Sequence, residues 1–164
     1  MLTKPEVYKL LQDRGIVYQN FDHAPIVSVA DGDRLGIHHG ELDTRSLLLR
    51  DRKHRDFYLV TLPCHKELDL EVLRRRLPCK RLSLADADEL QKYLGVQRGW
   101  VNPLSLLNNE ERNVVMVFDA ALAGQRIGYH PMANDATIFV SLDDTCRLLK
   151  EHGNKIVLCD LTAE

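Results

Sequence analysis

The sequence predicts an α+β fold: a mixed, largely antiparallel, barrel-like sheet with surrounding helices, formed as one domain over residues 1–164. Three observations lead to this class. Short apolar runs rich in β-branched and aromatic residues recur along the chain, bounded by Gly, Pro, Asn and charged turns. Segments with apolar residues at helical spacing lie between them. The two kinds mix without the regular strand–helix–strand alternation of a parallel α/β fold.

Taken in order, Thr3 is placed to cap a first helix, with Pro5 and Glu6 in its first turn, Val7, Leu10 and Leu11 on one face and Gly15 as its stop. "IVYQNFDH" reads as a short strand, and "SVADGDRLG" as a weak helix opened by a Ser cap. Two strands follow, about 45–51 and 56–62, joined by the charged turn of "RDRKHRD". "LDLEVLRRRL" sets Leu70, Leu73 and Leu77 at helical spacing behind an Asp69 cap, and Pro78 ends it. "SLADADELQKYLG" repeats that scheme, with Ser83 or Asp86 as cap, Leu90 and Leu94 inward and Gly95 as stop. "VQRGWVNPLSLLNNEERN" is mostly loop, with one helical turn after Pro103. Three strands are then expected in "NVVMVFD", "RIGYH" and "ATIFVSL". A helix over 143–152 ends at Gly153, and "KIVLCDL" closes the chain as a strand.

At 164 residues the chain is long enough for one domain with a proper core and short for two. Hydrophobic residues make up 45% and charged ones 28%, which excludes disordered and fibrous classes. A formal net charge of −2 argues against a general DNA-binding protein, whose surface would be broadly basic. No apolar run reaches the roughly 18 residues of a membrane helix, and charges interrupt the N-terminal segment too often for a signal peptide. A cytoplasmic location is therefore expected, without DNA or membrane partners. Cys64, Cys79, Cys146 and Cys159 show no metal-ligand spacing and read as reduced thiols, the last two buried. No metal or cofactor is expected.

Three features could carry chemistry. Gly99-Trp100-Val101-Asn102-Pro103 is a Gly-x-x-x-Pro loop: Gly lets a backbone approach a ligand, Pro stiffens the exit, and the intervening N–H groups can face an anion or oxyanion. The same residues also suit a plain turn. His130-Pro131 leaves a predicted strand and can present an imidazole to a cleft, or serve as a structural hydrogen-bonder. Arg45, Arg50, Arg52, Lys53 and Arg55 in one segment, with Arg74, Arg75, Arg76, Lys80 and Arg81 in another, hold ten of the chain's 22 Lys and Arg residues. Folded together they make a phosphate-binding patch; apart, they are a solvated turn and helix face. There is no Gly-x-Ser-x-Gly, Walker loop, dinucleotide fingerprint or His-Glu-x-x-His. An enzyme here would work by positioning and electrostatics.

With these residues in view, "TKPEVYKLLQDRGIVYQNFDHAPIVSV", "TRSLLLRDRKHRDFYLVTLP", "KRLSLADADELQKYLGVQRGWVNPLSLLNN" and "YHPMANDATIFVS", in this order and spacing, give a sequence that resembles the YbaK/prolyl-tRNA-synthetase-associated domain family, in particular its freestanding Ala-tRNA(Pro) deacylases of ProX/PrdX type. The resemblance implies that domain's fold and trans-editing hydrolysis of a mischarged aminoacyl-tRNA, with Ala-tRNA(Pro) foremost. Its partners would be the acceptor end of tRNA(Pro) carrying a wrong amino acid, and prolyl-tRNA synthetase. By the same resemblance Gly99 and Pro103 fall on the substrate loop, His130 on its His-Pro, Asn108 on the polar residue after the loop, and His23 with Pro25 on an N-terminal His-x-Pro. Arg45 falls where the family has a functionally important lysine.

The expected catalytic set is thus Arg45, Gly99, Pro103 and His130. His23, Thr44, Ser46, Val101, Asn102, Asn108 and Met132 are expected at the substrate, and Arg50, Arg52, Lys53, Arg74, Arg75 and Lys80 on the tRNA. Met132 and Asp135 replace polar residues common in the family. Arginine stays protonated at any physiological pH, so Arg45 can act by charge and hydrogen bonds but not as a proton shuttle. Met132 would narrow the pocket if it pointed inward. Two alternatives remain at this level: a catalytically inactive relative acting as a tRNA- or protein-binding module, and a structural module of a larger synthetase, against which the clean start and end of the chain around one domain speak.

Overall fold

The computed structural model describes residues 1–26, 30–31, 42–77 and 81–161. Among these, helix α1 (Lys4–Asp13) leads to β1 (Gln19–Asp22), β2 (Leu42–Asp51) and β3 (Phe57–Pro63). Helix α2 (Leu70–Arg76), β4 (Leu82–Leu84) and α3 (Ala87–Leu94) follow, then a 3-10 helix over Pro103–Asn108. Strand β5 (Val114–Asp119) precedes a 3-10 turn, β6 (Arg126–Tyr129), β7 (Ala136–Ser141), α4 (Leu142–His152) and β8 (Ile156–Cys159). Of the helix expected in "SVADGDRLG" only Ala30 and Asp31 are described, both helical; the rest lies outside the described residues, as do Pro78, Cys79 and Lys80.

Capping decides where the helices begin. Thr3 accepts from the Glu6 amide, Asp69 from those of Glu71 and Val72, and Ser141 from that of Asp144. Asp86, rather than Ser83, caps α3 through a reciprocal capping box with Glu89. Ser83 belongs instead to β4, a strand the sequence reading merged with the helix. In α2 the buried residues are Val72 and Leu73, with Leu77 just beyond; Leu70 sits in the first turn and stays 38% exposed.

The strands form one sheet in the order β1-β7-β6-β2-β3-β5-β8, with β4 paired to β2. Four pairings are antiparallel (β1–β7, β6–β7, β2–β3, β2–β4) and three are parallel (β2–β6, β3–β5, β5–β8). The parallel share is larger than the sequence suggested, because the segments carrying α2, α3 and α4 act as crossovers. Strand β3 is buried on both faces and reads as a continuous apolar run.

Alternation sends even and odd residues of β2 to opposite faces. On the inner face Leu48 joins Leu59, Met116, Phe118, Ile127 and Ile138, covered by Val7 and Leu11 of α1, Leu90 and Leu94 of α3, Leu104 of the 3-10 helix and Leu149 of α4. On the outer face Leu49, Tyr58, Val60, Leu62 and Val117 pack under Leu73 and Leu77. Each fully buried large side chain contributes about 1.5–3 kcal/mol. A buried amide set, in which Asn154 donates to Asn109 Oδ1 and to the Val114 carbonyl, joins the end of the 3-10 helix to the start of β8. Cys146 and Cys159 are half-buried rather than buried, and burial pushes both thiols up, away from reactive thiolate.

Candidate active site

The Gly99–Pro103 loop connects α3 to the 3-10 helix, and Asn102 gives it its shape. Asn102 is fully buried; its Oδ1 accepts from the Leu104 amide at 2.9 Å, while its Nδ2 donates to the Trp100 carbonyl at 2.9 Å and to Met132 Sδ at 3.3 Å. The Ser105 hydroxyl donates to the Asn102 carbonyl. Pro103 is buried at the start of the 3-10 helix, where its missing N–H leaves nothing unsatisfied. The Trp100 amide bonds to the Gln97 carbonyl. Among the described residues the amides of Gly99, Val101 and Asn102 are left without a protein acceptor, so this short loop carries three spare donors. Gly99 adopts φ +87°, and a Cβ there would meet nothing within 4 Å, so its surface is open.

His130 follows β6 and donates from Nδ1 to the Gly99 carbonyl at 3.3 Å. Burial holds its imidazole below the usual range; the Gly99 carbonyl opposes this, and the nearby His23 adds to it. The His23 ring lies 6.0 Å from that of His130, centroid to centroid. His23 Nδ1 donates to the Ala24 carbonyl and, in the neutral ring, Nε2 accepts from the Thr137 hydroxyl, both at 2.8 Å. The chain holding His23 runs beside β7 and its approach, with the His23 amide on the Asp135 carbonyl and that of Ile26 on the Asn134 carbonyl.

Arg45 lies on the strand that pairs with β6. The parallel register pairs Asp43 of β2 with Gly128 of β6, and Arg45 and His130 each stand two residues further on. Gly128 lets the Phe139 ring and the Asp43 carboxylate close over it: a Cβ would lie 2.6 Å from Phe139 Cε1 and 2.9 Å from Asp43 Oδ1. Arg45 Nη2 donates to the Lys66 carbonyl at 2.9 Å, and Lys66 Nζ lies 3.5 Å from the buried Asp119 carboxylate. Arg45 Nε is buried with no partner, a donor left for something the protein does not supply.

Several residues expected at the substrate make hydrogen bonds within the protein. Thr44 donates to the Gly128 carbonyl at 2.7 Å, and Ser46 shares a 2.7 Å hydrogen bond with Thr61; both belong to the face opposite Arg45. Asn108 ties the Leu2 amide to the Leu94 carbonyl, joining the N-terminus to the end of α3. Asn102 and Met132 act on the loop: Met132, at φ +61° and 5% exposed, packs in the inner core and receives the Asn102 amide, so it clasps the loop to the His130 turn. Val101 is half-buried beside the same core. Asp135 faces outward and pairs with Lys4 at 2.8 Å, tying α1 to the turn after His130.

The basic segments meet only in part. Arg81 and β4 come beside Arg50 and Arg52, whereas Arg74 has Glu71 of its own helix 3.8 Å away and Arg75 is exposed on that helix; Lys53 is exposed at the β2–β3 turn. Thr137, Gly128, Asp119 and Lys66 were missed by the sequence reading. Only Gly128, a glycine within an apolar strand, carried a signal of close approach. Among the described residues no three His, Cys, Asp or Glu side chains are grouped to hold a metal, and no helix is long and apolar enough to cross a membrane.

Comparison with known proteins fits this geometry. Residues 23–148 match the model of the aminoacyl-tRNA editing domain. The chain is 33% identical over 162 residues to the prolyl-tRNA editing protein ProX of Acetoanaerobium sticklandii, covering 98% of this chain and 99% of that one. It is 32% identical over 151 residues to prolyl-tRNA synthetase associated domain-containing protein 1 of Danio rerio, covering 90% and 82%. A crystal structure described as that of a candidate trans-editing enzyme for prolyl tRNA synthetase shares the fold at TM-score 0.71 and 19% identity, over 98% of this chain and 97% of that one. Matched by the domain model from His23 to past the His130 turn, the chain belongs to the aminoacyl-tRNA editing domain family.

Proposed function

We propose that the protein is a trans-editing deacylase that hydrolyses the aminoacyl ester of mischarged tRNA, with Ala-tRNA(Pro) as its substrate. The observation that carries this reading is a loop with three spare amide donors, fastened by His130, which leaves β6 beside the strand that carries Arg45 and its unpartnered Nε–H. Water attacks the ester carbonyl, a C–O bond forms, and the oxygen becomes an oxyanion for which the Gly99, Val101 and Asn102 amides are donors; each such donor is worth about 100- to 1000-fold in rate. The ester C–O bond then breaks and the ribose oxygen leaves as the hydroxyl, taking up the proton that the attacking water gave up. Arg45, always protonated, holds the terminal ribose or phosphate by charge and hydrogen bonds. His130 is a positioning residue, because its Nδ1–H is committed to the Gly99 carbonyl. The family resemblance leaves orientation of the water to the substrate's own 2′-hydroxyl.

The partners in this reading are the acceptor end of tRNA(Pro) and prolyl-tRNA synthetase, in the cytoplasm. A hydrophobic site separates one methylene by only about 1–3 kcal/mol, so proline must be rejected by steric exclusion. A deacylation panel with Ala-, Cys-, Ser- and Pro-tRNA(Pro) tests the proposal: hydrolysis of the alanyl ester with Pro-tRNA(Pro) spared supports it. No hydrolysis of any substrate supports a second reading, a binding module without chemistry, favoured by arginine at position 45.

A further inference from the structure

At the far end of β2 a cleft of about 360 Å³ is lined by Arg50, Arg52 and His54 of the hairpin and by Arg81, Leu82 and Ser83 around β4. Its inner wall is fixed. Arg50 donates through Nε to Glu89 and through Nη1 to the Ser83 hydroxyl, both at 2.6 Å, and His54 meets the same Glu89 carboxylate at 3.1 Å. Glu89 thus offsets Arg50. Arg52 and Arg81 are exposed and have no ion-pair partner among the described residues, so the cleft keeps an excess of positive charge on a chain whose net charge is −2.

The topology relates this cleft to the active site. One edge of β2 is paired along its length by β3; the other is paired by β6 at Leu42 and Asp43 and by β4 at Leu49 to Asp51. His130 follows β6 at one end of that second edge, and the cleft flanks β4 at the other. From Arg45 to Arg50 the strand rises about 17 Å at roughly 3.3 Å per residue. That is a span for several nucleotides of a single strand, whose phosphates recur at a few ångströms.

We propose that the cleft between the β2–β3 turn and β4 binds a backbone phosphate of the acceptor stem of the same tRNA whose 3′ end occupies the Arg45–His130 end of β2. This rests on the proposed function for the identity of the RNA, and narrows the tRNA contact to Arg52 and Arg81, with Ser83 and Arg50 as the prepared wall. Arg74 and Arg75 are not part of it. A planar guanidinium suits phosphate because its N–H groups can contact two oxygens at once.

The test is binding of an uncharged acceptor-stem minihelix to the full chain and to the Arg52→Ala/Arg81→Ala variant across a salt series. Losing the contacts to this phosphate is expected to weaken binding roughly tenfold at moderate salt and to flatten the slope of log affinity against log salt by about 0.7–0.9. The Arg74→Ala/Arg75→Ala variant should show the smaller change. With aminoacylated substrates, the Arg52/Arg81 penalty in kcat/KM should fall on KM and be at least about tenfold larger for the minihelix than for an aminoacylated CCA trinucleotide, which cannot span the strand. Parental affinity and slope in the Arg52/Arg81 variant overturn the cleft while leaving the deacylase reading intact. Cleft-dependent minihelix binding by a protein that hydrolyses no ester removes that reading and keeps the cleft. Inorganic phosphate that binds the cleft tightly, with no effect of the variant on the minihelix, marks a free-phosphate site and also overturns the proposal.

Discussion

Replacing Asn102 by alanine should damage the loop more than any other single truncation in it. The side chain is fully buried and joins three partners: the Leu104 amide, the Trp100 carbonyl and Met132 Sδ. Alanine strands the first two in a dry environment, each at about 1–3 kcal/mol, so a total loss of about 2–6 kcal/mol is expected. For a chain of this size that lowers Tm by roughly 4–24 °C. The same change frees the backbone that carries the spare amides, and misplacement by about 1 Å reduces turnover about 100-fold. Asn102→Asp separates the two effects: it keeps the acceptor for Leu104 and sets a carboxylate against the Trp100 carbonyl, so it should also lose turnover. Thermal unfolding and single-turnover deacylation of Ala-tRNA(Pro) read both variants. Parental turnover in both would refute the role given to Asn102 and to the loop geometry it holds.

Arg45→Ala removes a charge-assisted contact and should lower kcat/KM by about 10- to 100-fold in steady-state deacylation, while Arg45→Lys keeps or raises activity; a parental rate in the alanine variant would contradict the electrostatic role. Gly128→Ala drives a Cβ into Phe139, which is fully buried and cannot swing away, so a loss of about 1–3 kcal/mol by chemical denaturation is expected together with lost activity. His130 titrates below its ordinary 6.5 because it is buried, so the unfolded chain takes up a proton that the folded chain refuses as pH falls below that value. Its contribution to stability is present above pH 6.5 and is lost as pH drops through the lower folded value; His130→Gln should make unfolding less acid-sensitive between about pH 7 and 5, and an unchanged pH slope would exclude the buried imidazole as its source.

Local structure was legible where the residues themselves enforce it. Asp69 and Asp86 precede their helices because their carboxylates satisfy first-turn amides, and Gly95 and Gly153 end helices in the left-handed conformation. Strand β4 was hidden because "LSL" is too short to show a period and adjoins a capping box. Strand order was not legible, since parallel pairing of β3 with β5 and β5 with β8 is settled by packing across the inner core, not by any local pattern. In the site, Gly99, His130 and Arg45 were singled out by residue type; the structure joins His130 to the Gly99 carbonyl and sets Arg45 on the strand paired with the one that His130 follows. The internal partners of Asn102, Asn108, Thr44 and Ser46 were not legible, because a polar side chain in a loop or strand carries no mark of its partner. In the structure each hydrogen-bonds to backbone or to a neighbouring hydroxyl.

The most direct test of the loop's chemistry is single-turnover hydrolysis of Ala-tRNA(Pro) by Gly99→Ala beside the parental protein, with thermal unfolding as the check on the fold. A Cβ at Gly99 meets nothing within 4 Å, so the substitution acts through the φ of +87° and not through a clash. Relaxation of that angle turns the spare amides away from the oxyanion, and the rate should fall at least about 100-fold with folding preserved. A folded Gly99→Ala protein that hydrolyses Ala-tRNA(Pro) at the parental rate would contradict the account.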